Sequence, residues 1–143
     1  MDVQTRTSRS DVGGYCKSIT GSRTSGVRPM LREDVACVGK LIDSAFGKTS
    51  RHATFDFRSY IENVFFGSPV YDPAHGSIVY DIGENQITSV VLALPMRFIV
   101  GRERIVGRLL CAFASDGERG AAGAARLSRT MRPSQQDLCF TDT

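Results

Sequence analysis

Between Cys111 and Leu127 an apolar run passes through Ser115-Asp116-Gly117-Glu118-Arg119-Gly120 into a stretch of alanines and glycines. That order supplies the parts of an anion-binding corner. A strand delivers the chain to a helix start, where the first N–H groups lack intrahelical partners and the macrodipole turns its positive end outward. Small residues at Gly117, Gly120, Ala121, Ala122 and Gly123 let a pyrophosphate approach that backbone. Two nucleotide motifs are excluded. A Walker A loop requires G-x-x-x-x-G-K-[ST], and neither lysine nor hydroxyl follows these glycines directly. A dinucleotide fingerprint requires G-x-G-x-x-G after an early parallel strand, whereas the glycines here fall at 117, 120 and 123 behind several antiparallel runs. The same small residues would also let a helix pack closely on a sheet, and the segment alone leaves both uses open.

Other reactive side chains form weaker patterns. Cys16, Cys37, Cys111 and Cys139 are scattered without a C-x-x-C pair, against both a disulfide framework and a structural zinc site. His52 and His75 lie in expected loops with no cysteine or carboxylate at ligand spacing, so no metal site is expected. Glu84 and Glu103 could serve as bases, but both fall in expected turns and read as solvated charges. Arg97, Arg102, Arg104 and Arg108 cluster around an expected hairpin. They could meet phosphates or an acidic partner; exposed strand arginines also aid solubility and discourage edge pairing, and that reading is favoured.

Positioning these residues requires a scaffold, and hydropathy periods outline one. Residues 1–26 are rich in Ser, Thr and Gly with few strong apolar residues, and read as a disordered tail. Its arginines and serines are compatible with a mitochondrial presequence, but Asp2, Asp11 and the missing amphipathic face oppose that. Val27 to Met30 reads as a short extended piece. Acids at Glu33 and Asp34 then open a helix whose stripe is Val35, Val38, Leu41, Ile42, Ala45 and Phe46, ending at Gly47. A second helix carries Phe57, Tyr60, Ile61, Val64 and Phe65 and stops at Gly67-Ser68-Pro69. Ile78 to Tyr80 forms a strand, Gly83-Glu84-Asn85 a turn, and Gln86 to Leu94 a second strand. Met96 to Val100 and Ile105 to Ala114 are further extended runs flanking a turn. A helix is expected from about Gly120 to Met131, an exit at Pro133, and a last strand from Leu138.

The bulk properties fit one α/β domain. A chain of 143 residues holds a single core, and its net charge of +3 does not point to nucleic acid. No apolar run approaches the roughly 18 residues of a membrane span, so a reducing cytoplasm is the default.

Val27-Arg28-Pro29-Met30-Leu31-Arg32-Glu33-Asp34, with a helix ending Asp43-Ser44-Ala45-Phe46, resembles the opening of GNAT-superfamily acetyltransferases. Arg119-Gly120-Ala121-Ala122-Gly123-Ala124 looks like that superfamily's acetyl-CoA pyrophosphate loop, [RQ]-x-x-G-x-[GA]; Gln136 to Asp142 resembles its next strand. The resemblance implies an α/β (α+β) fold: a GNAT-like mixed, mostly antiparallel sheet flanked by helices. Residues 27–143 would form a partial domain lacking the C-terminal strands and helix. It implies that Arg119, Gly120, Ala121, Ala122, Gly123 and Ala124 hold the pyrophosphate of acetyl-CoA, and that Phe113, Ala114 and Ser115 pair with its pantetheine. The partners it implies are acetyl-CoA and an amine acceptor, without nucleic acid or membrane, and with self-association through the strand edge at Leu138.

The chain departs from the pattern in three ways. Ala122 stands at the loop's first glycine position, the approach to Arg119 is one residue short, and no tyrosine follows the loop to protonate the leaving thiolate. No catalytic residue is assigned. The expected function is acetyl transfer from acetyl-CoA to an amine by a truncated and weak or inactive domain, with a non-catalytic CoA-binding or protein-interaction remnant as the alternative.

Overall fold

The computed structural model describes residues 25–46, 56–131 and 138–141. Strand β1 (Gly26–Pro29) leads through a 3-10 turn (Arg32–Asp34) into α1 (Val35–Phe46), followed by α2 (Phe57–Ile61) and its π-helical extension Glu62–Phe66. Strands β2 (Ile78–Asp81), β3 (Ile87–Val100) and β4 (Glu103–Ser115) follow, then α3 (Gly117–Thr130) and β5 (Leu138–Thr141). The sheet order is β1-β2-β3-β4-β5. All neighbours are antiparallel except β4 and β5, which run parallel with α3 as their crossover. This is the mixed, mostly antiparallel sheet flanked by helices that the sequence implies.

Each face of the sheet buries its own cluster. On one side Val35, Val38 and Ile42 of α1 and Ile61, Phe65 and Phe66 of α2 pack on Val79, Val90, Leu92 and Ala114. On the other, Leu127 and Met131 pack on Ile78, Tyr80, Val91 and Ala93. The alternation Val90/Val91/Leu92/Ala93 feeds both clusters in turn, as a strand covered on both faces requires.

Several expectations shift in detail. Leu94 and Met96 belong to one strand that runs through buried Pro95, bent by a register shift at Leu92/Ala93 rather than broken. Ala45 and Phe46, expected on the α1 stripe, are exposed, as is Tyr60 of α2. The π turn explains the second helix: Gly67 N–H donates to Glu62 O at 3.0 Å, and the wider turn brings Phe66 inward beside Phe65 while Val64 is only partly covered. Arg32 lies over the Phe66 ring at 5.1 Å from its centroid, and Tyr71 meets it at 5.3 Å. Gly83, Glu84 and Asn85 all have positive φ, as expected of a tight turn. The residue-1–26 tail, except for its last two residues, and Cys16, His52 and Pro133 lie outside the described residues.

A buried ion cluster fastens β1 to this frame. Arg28 donates to Asp34 at 2.6 and 3.0 Å and to Asp81 at 3.0 and 3.2 Å. Asp34 also accepts from Leu31 N–H at 2.8 Å, and Asp81 from Gly83 N–H at 2.8 Å. Burial works to lower the Arg28 pKa, but hydrogen bonding and charge pairing with Asp34 and then Asp81 raise it overall.

Candidate active site

The candidate site lies where β4 runs past β5 and turns into α3. The parallel pairing of β4 with β5 spans Gly107↔Leu138 to Leu110↔Thr141. Strand β4 continues through Cys111, Ala112, Phe113 and Ala114 to Ser115, paired on its inner side with β3 up to Ser89↔Ser115. Its outer side has no strand neighbour there among the described residues. Phe113 is 43% exposed, whereas Ala114 turns its methyl into the α1/α2 core. An open backbone edge with an aromatic side chain beside it can pair with an extended ligand much as it would with another strand.

Asp116 alone separates β4 from α3. Its N–H donates to Thr88 O at 2.8 Å, and its carbonyl accepts from Gly120 N–H at 2.9 Å. The helix therefore begins at Gly117, three residues before the expected Gly120, because Asp116 already takes the N-cap geometry. Its carboxylate makes no capping hydrogen bond. Gly117 has φ +44, which accounts for a glycine at this corner.

The earlier start changes what the small residues do. Gly120 and Gly123 face the sheet and are buried. A Cβ on Gly120 would overlap Ser115 Oγ and lie 2.7 Å from Thr88 O; one on Gly123 would lie 2.5 Å from Tyr80 Cδ1. Ser89 Oγ uses the room, donating to Gly120 O at 3.0 Å and lying 3.3 Å from Ser115 Oγ. These two glycines permit close helix–sheet packing. Ala121 and Ala122 lie exposed on the outer face, and Ala124 is half-buried, all within regular helix. Arg119 stands exposed in the first turn, which also carries Glu118. The structure thus brings Phe113, Ser115 and Arg119 to one end of the β4–α3 corner and assigns Gly120 and Gly123 to packing. Sequence spacing could have shown this: positions 120, 123 and 127 lie on one helical face with Leu127.

The remaining candidates lie elsewhere. Tyr60 packs against Phe65, Tyr71 against Phe66, and Tyr80 lies beneath Arg126 at 5.6 Å. Glu84 is exposed in its turn, and Glu103, expected in a turn, is exposed as the first residue of β4, paired with Val100. His75 does have a carboxylate partner, contrary to the reading from spacing: its Nδ1 lies 2.7 Å from Asp72 Oδ2, three residues away in the turn before β2. Hydrogen bonding to His75, then to Ala74 N–H, holds the Asp72 carboxyl below its usual range. Arg108, midway along β4, donates to Ala74 O in that same turn. Among the described residues no cluster of three or more His, Cys, Asp or Glu side chains could hold a metal, and no helix is long and apolar enough to cross a membrane.

No family model matches the chain, and no curated protein sequence does. Solved structures do. An Enterococcus faecalis protein described as a probable N-acyltransferase superposes with TM-score 0.52 at 20% identity over 78% of this chain, which spans only 26% of that one. An acetyltransferase from Corynebacterium glutamicum, described with histone acetyltransferase HPA2, gives 0.51 at 15% identity, covering 76% of this chain and 70% of its own. An aminoglycoside acetyltransferase from an uncultured soil metagenomic sample, in complex with sisomicin, gives 0.52 at 8% identity, with 83% and 77% covered. At such identities the likeness speaks to architecture, and it agrees with the element order and the parallel β4–β5 pair. The chain has the fold of the GNAT-type acetyltransferases.

Proposed function

We propose that this chain is an acyltransferase domain that takes acetyl-CoA along the outer edge of β4 and passes its acetyl group to an amine. The observation that carries the reading is the outer edge of β4 from Ala112 to Ser115, which has no strand neighbour among the described residues. Among the described residues the β4–β5 pairing reaches Leu110↔Thr141, while β4 goes on to Ser115 and straight into the N-terminus of α3. That edge offers main-chain donors and acceptors to the amides of a pantetheine arm, and a main-chain N–H there can polarise the thioester carbonyl as charge develops on its oxygen. Phe113 covers one side of the arm. The opening of α3, with Arg119, faces the pyrophosphate. In the reaction the neutral amine attacks the thioester carbon, the C–S bond breaks, the nitrogen gives up one proton to solvent, and the thiolate leaves by taking one. None of Tyr60, Tyr71 and Tyr80 lies along this edge, so solvent supplies that proton and turnover is slow.

One observation favours a second reading, a non-catalytic CoA-binding or protein-interaction domain. Asp116 and Glu118 put two carboxylates around the same helix start. They complement the macrodipole themselves and oppose a phosphate there.

Binding and turnover separate the readings. Acetyl-CoA at millimolar concentration is expected to raise the melting temperature, since a ligand of the native state stabilises it by mass action. Arg119→Glu, on an exposed side chain, is expected to reduce the shift without altering the fold. Gly120→Asp would be a poor probe, because its side chain would collide with Ser115. Free-thiol release over a panel of amines is expected to be about 10²–10⁴-fold slower than with a positioned general acid. A shift without any thiol release selects the second reading, and no shift in a folded protein defeats the cofactor assignment altogether.

A further inference from the structure

The β3–β4 hairpin outruns its neighbours. Among the described residues β2 accompanies β3 to the Ile78↔Val91 pair, and β5 accompanies β4 from Gly107 onward. From Arg97↔Val106 to Val100↔Glu103 the hairpin is a two-stranded ribbon among the described residues. Such ribbons are marginal in water and gain from a third strand. Ala93 shows which backbone groups face outward: its N–H donates to Ser77 Oγ at 3.0 Å, on the side of β3 away from β4. The antiparallel alternation gives Pro95, Arg97 and Ile99 the same orientation. Pro95 has no N–H and is fully buried, so the open edge begins at Arg97. Arg97 and Ile99 present both N–H and C=O there.

The ribbon's two faces differ in chemistry. Residues paired in register share a face, so Arg108 beside Pro95, Arg97, and Arg104 beside Ile99 form successive rows on the α3 side. Rows two residues apart are separated by about 6.7 Å, the side-chain repeat of any extended strand. No carboxylate pairs with Arg97 or Arg104 among the described residues. The opposite face carries Met96, Phe98 and Val100, the last 60% exposed. Ile99, at 74%, is the most exposed of the large apolar side chains.

We propose that the open edge of β3 from Arg97 to Val100 is a docking site for an extended acidic peptide in which glutamates alternate with apolar residues. Added as a strand, the peptide takes the outward N–H and C=O of Arg97 and Ile99. Its glutamates fall on the α3 side, one opposite Arg97 and the next within reach of Arg104, one strand further at about 9.6 Å. Its apolar residues extend the row of Met96, Phe98 and Val100. A second copy of this chain fits the edge less well, because pairing like edges sets Arg97 near its own equivalent. A lipid surface fits less well again, because the apex is Gly101-Arg102-Glu103 and charged.

The test is fluorescence anisotropy with a labelled peptide of alternating Glu and Val, at about 0.1 M salt, where exposed charges are partly screened. Saturable binding is expected. Arg97→Glu with Arg104→Glu, both on exposed side chains, is expected to weaken it about tenfold and to confer binding on the matching Lys-Val peptide. A Glu-Val peptide N-methylated at alternate residues is expected not to bind, since it cannot complete the ladder. Absence of saturable binding to the folded protein overturns the proposal. So does equal binding of a block peptide of the same composition, retention on phosphatidylglycerol vesicles in place of peptide binding, or a dimer that dissociates on substitution of Arg97.

Discussion

Gly123 and Ala122 sit side by side in α3 and respond to different forces. Gly123 lies against Tyr80 and Ser89, where a methyl group has no room. Ala122 points outward from the same helix. From the sequence both belong to one glycine-rich segment, and a missing glycine at 122 looks like a defect in an anion loop. The structure reverses their weight: the helix starts at Gly117, so position 122 needs no positive φ, and position 123 needs the absence of a side chain. Gly123→Ala is therefore expected to destabilise the fold by about 1–3 kcal/mol through overpacking, despite alanine's better helix propensity. Ala122→Gly is expected to cost about 1 kcal/mol from propensity alone. Urea unfolding of the two variants checks this. An Ala at 123 that stabilises the protein would show that α3 does not seat on β2 and β3 as described.

Elements were legible where one face decides their period, and less so where two forces compete. The buried part of the α1 stripe, Val35, Val38 and Ile42, and the turn at Gly83-Glu84-Asn85 follow directly from residue type and spacing. In α2, regular 3.6-residue spacing points Val64 and Phe65 inward, but the ring of Phe66 finds Arg32 and Tyr71, and a π turn brings it in instead. That gain is tertiary and leaves no trace in the local period. The Arg28 clasp is another such feature: Asp34 reads from sequence as a first-turn acid, while Arg28 joins it to Asp81, 53 residues from Arg28. Arg28→Met would leave Asp34 and Asp81 buried without a counter-charge, since both are at most 1% exposed. The expected loss is about 3–5 kcal/mol, and adding Asp34→Asn and Asp81→Asn should restore much of it. Chemical denaturation of the single and triple variants measures both. Equal stability of the single variant and the parent would mean the cluster holds β1 by backbone pairing alone.

At the scale of the whole molecule, the fold was readable because order of elements survives errors in their boundaries. The candidate site was less so, because it depends on α3 starting at Gly117 against β2 and β3, and the packing that buries Gly120 and Gly123 joins distant segments. The layered architecture makes this site a boundary between regions of different stability. Ala114 and Val90 sit in the α1/α2 cluster and Val91 and Ala93 in the α3 cluster, so the middle of β3 and β4 is held from both faces. The hairpin end from Phe98 to Ile105 lacks a flanking strand among the described residues. Hydrogen exchange is expected to be slowest at Val90 to Ala93 and fastest through the hairpin end, because opening free energy follows buried apolar contact. Acetyl-CoA is then expected to slow exchange along Cys111 to Ser115 and at the opening of α3, leaving the hairpin end unchanged. An acidic alternating peptide should do the reverse, protecting Arg97 and Ile99 and sparing β4's outer edge. If both ligands protected one and the same segment, the molecule would have a single binding edge, and the division of labour between β4 and β3 would have to be abandoned.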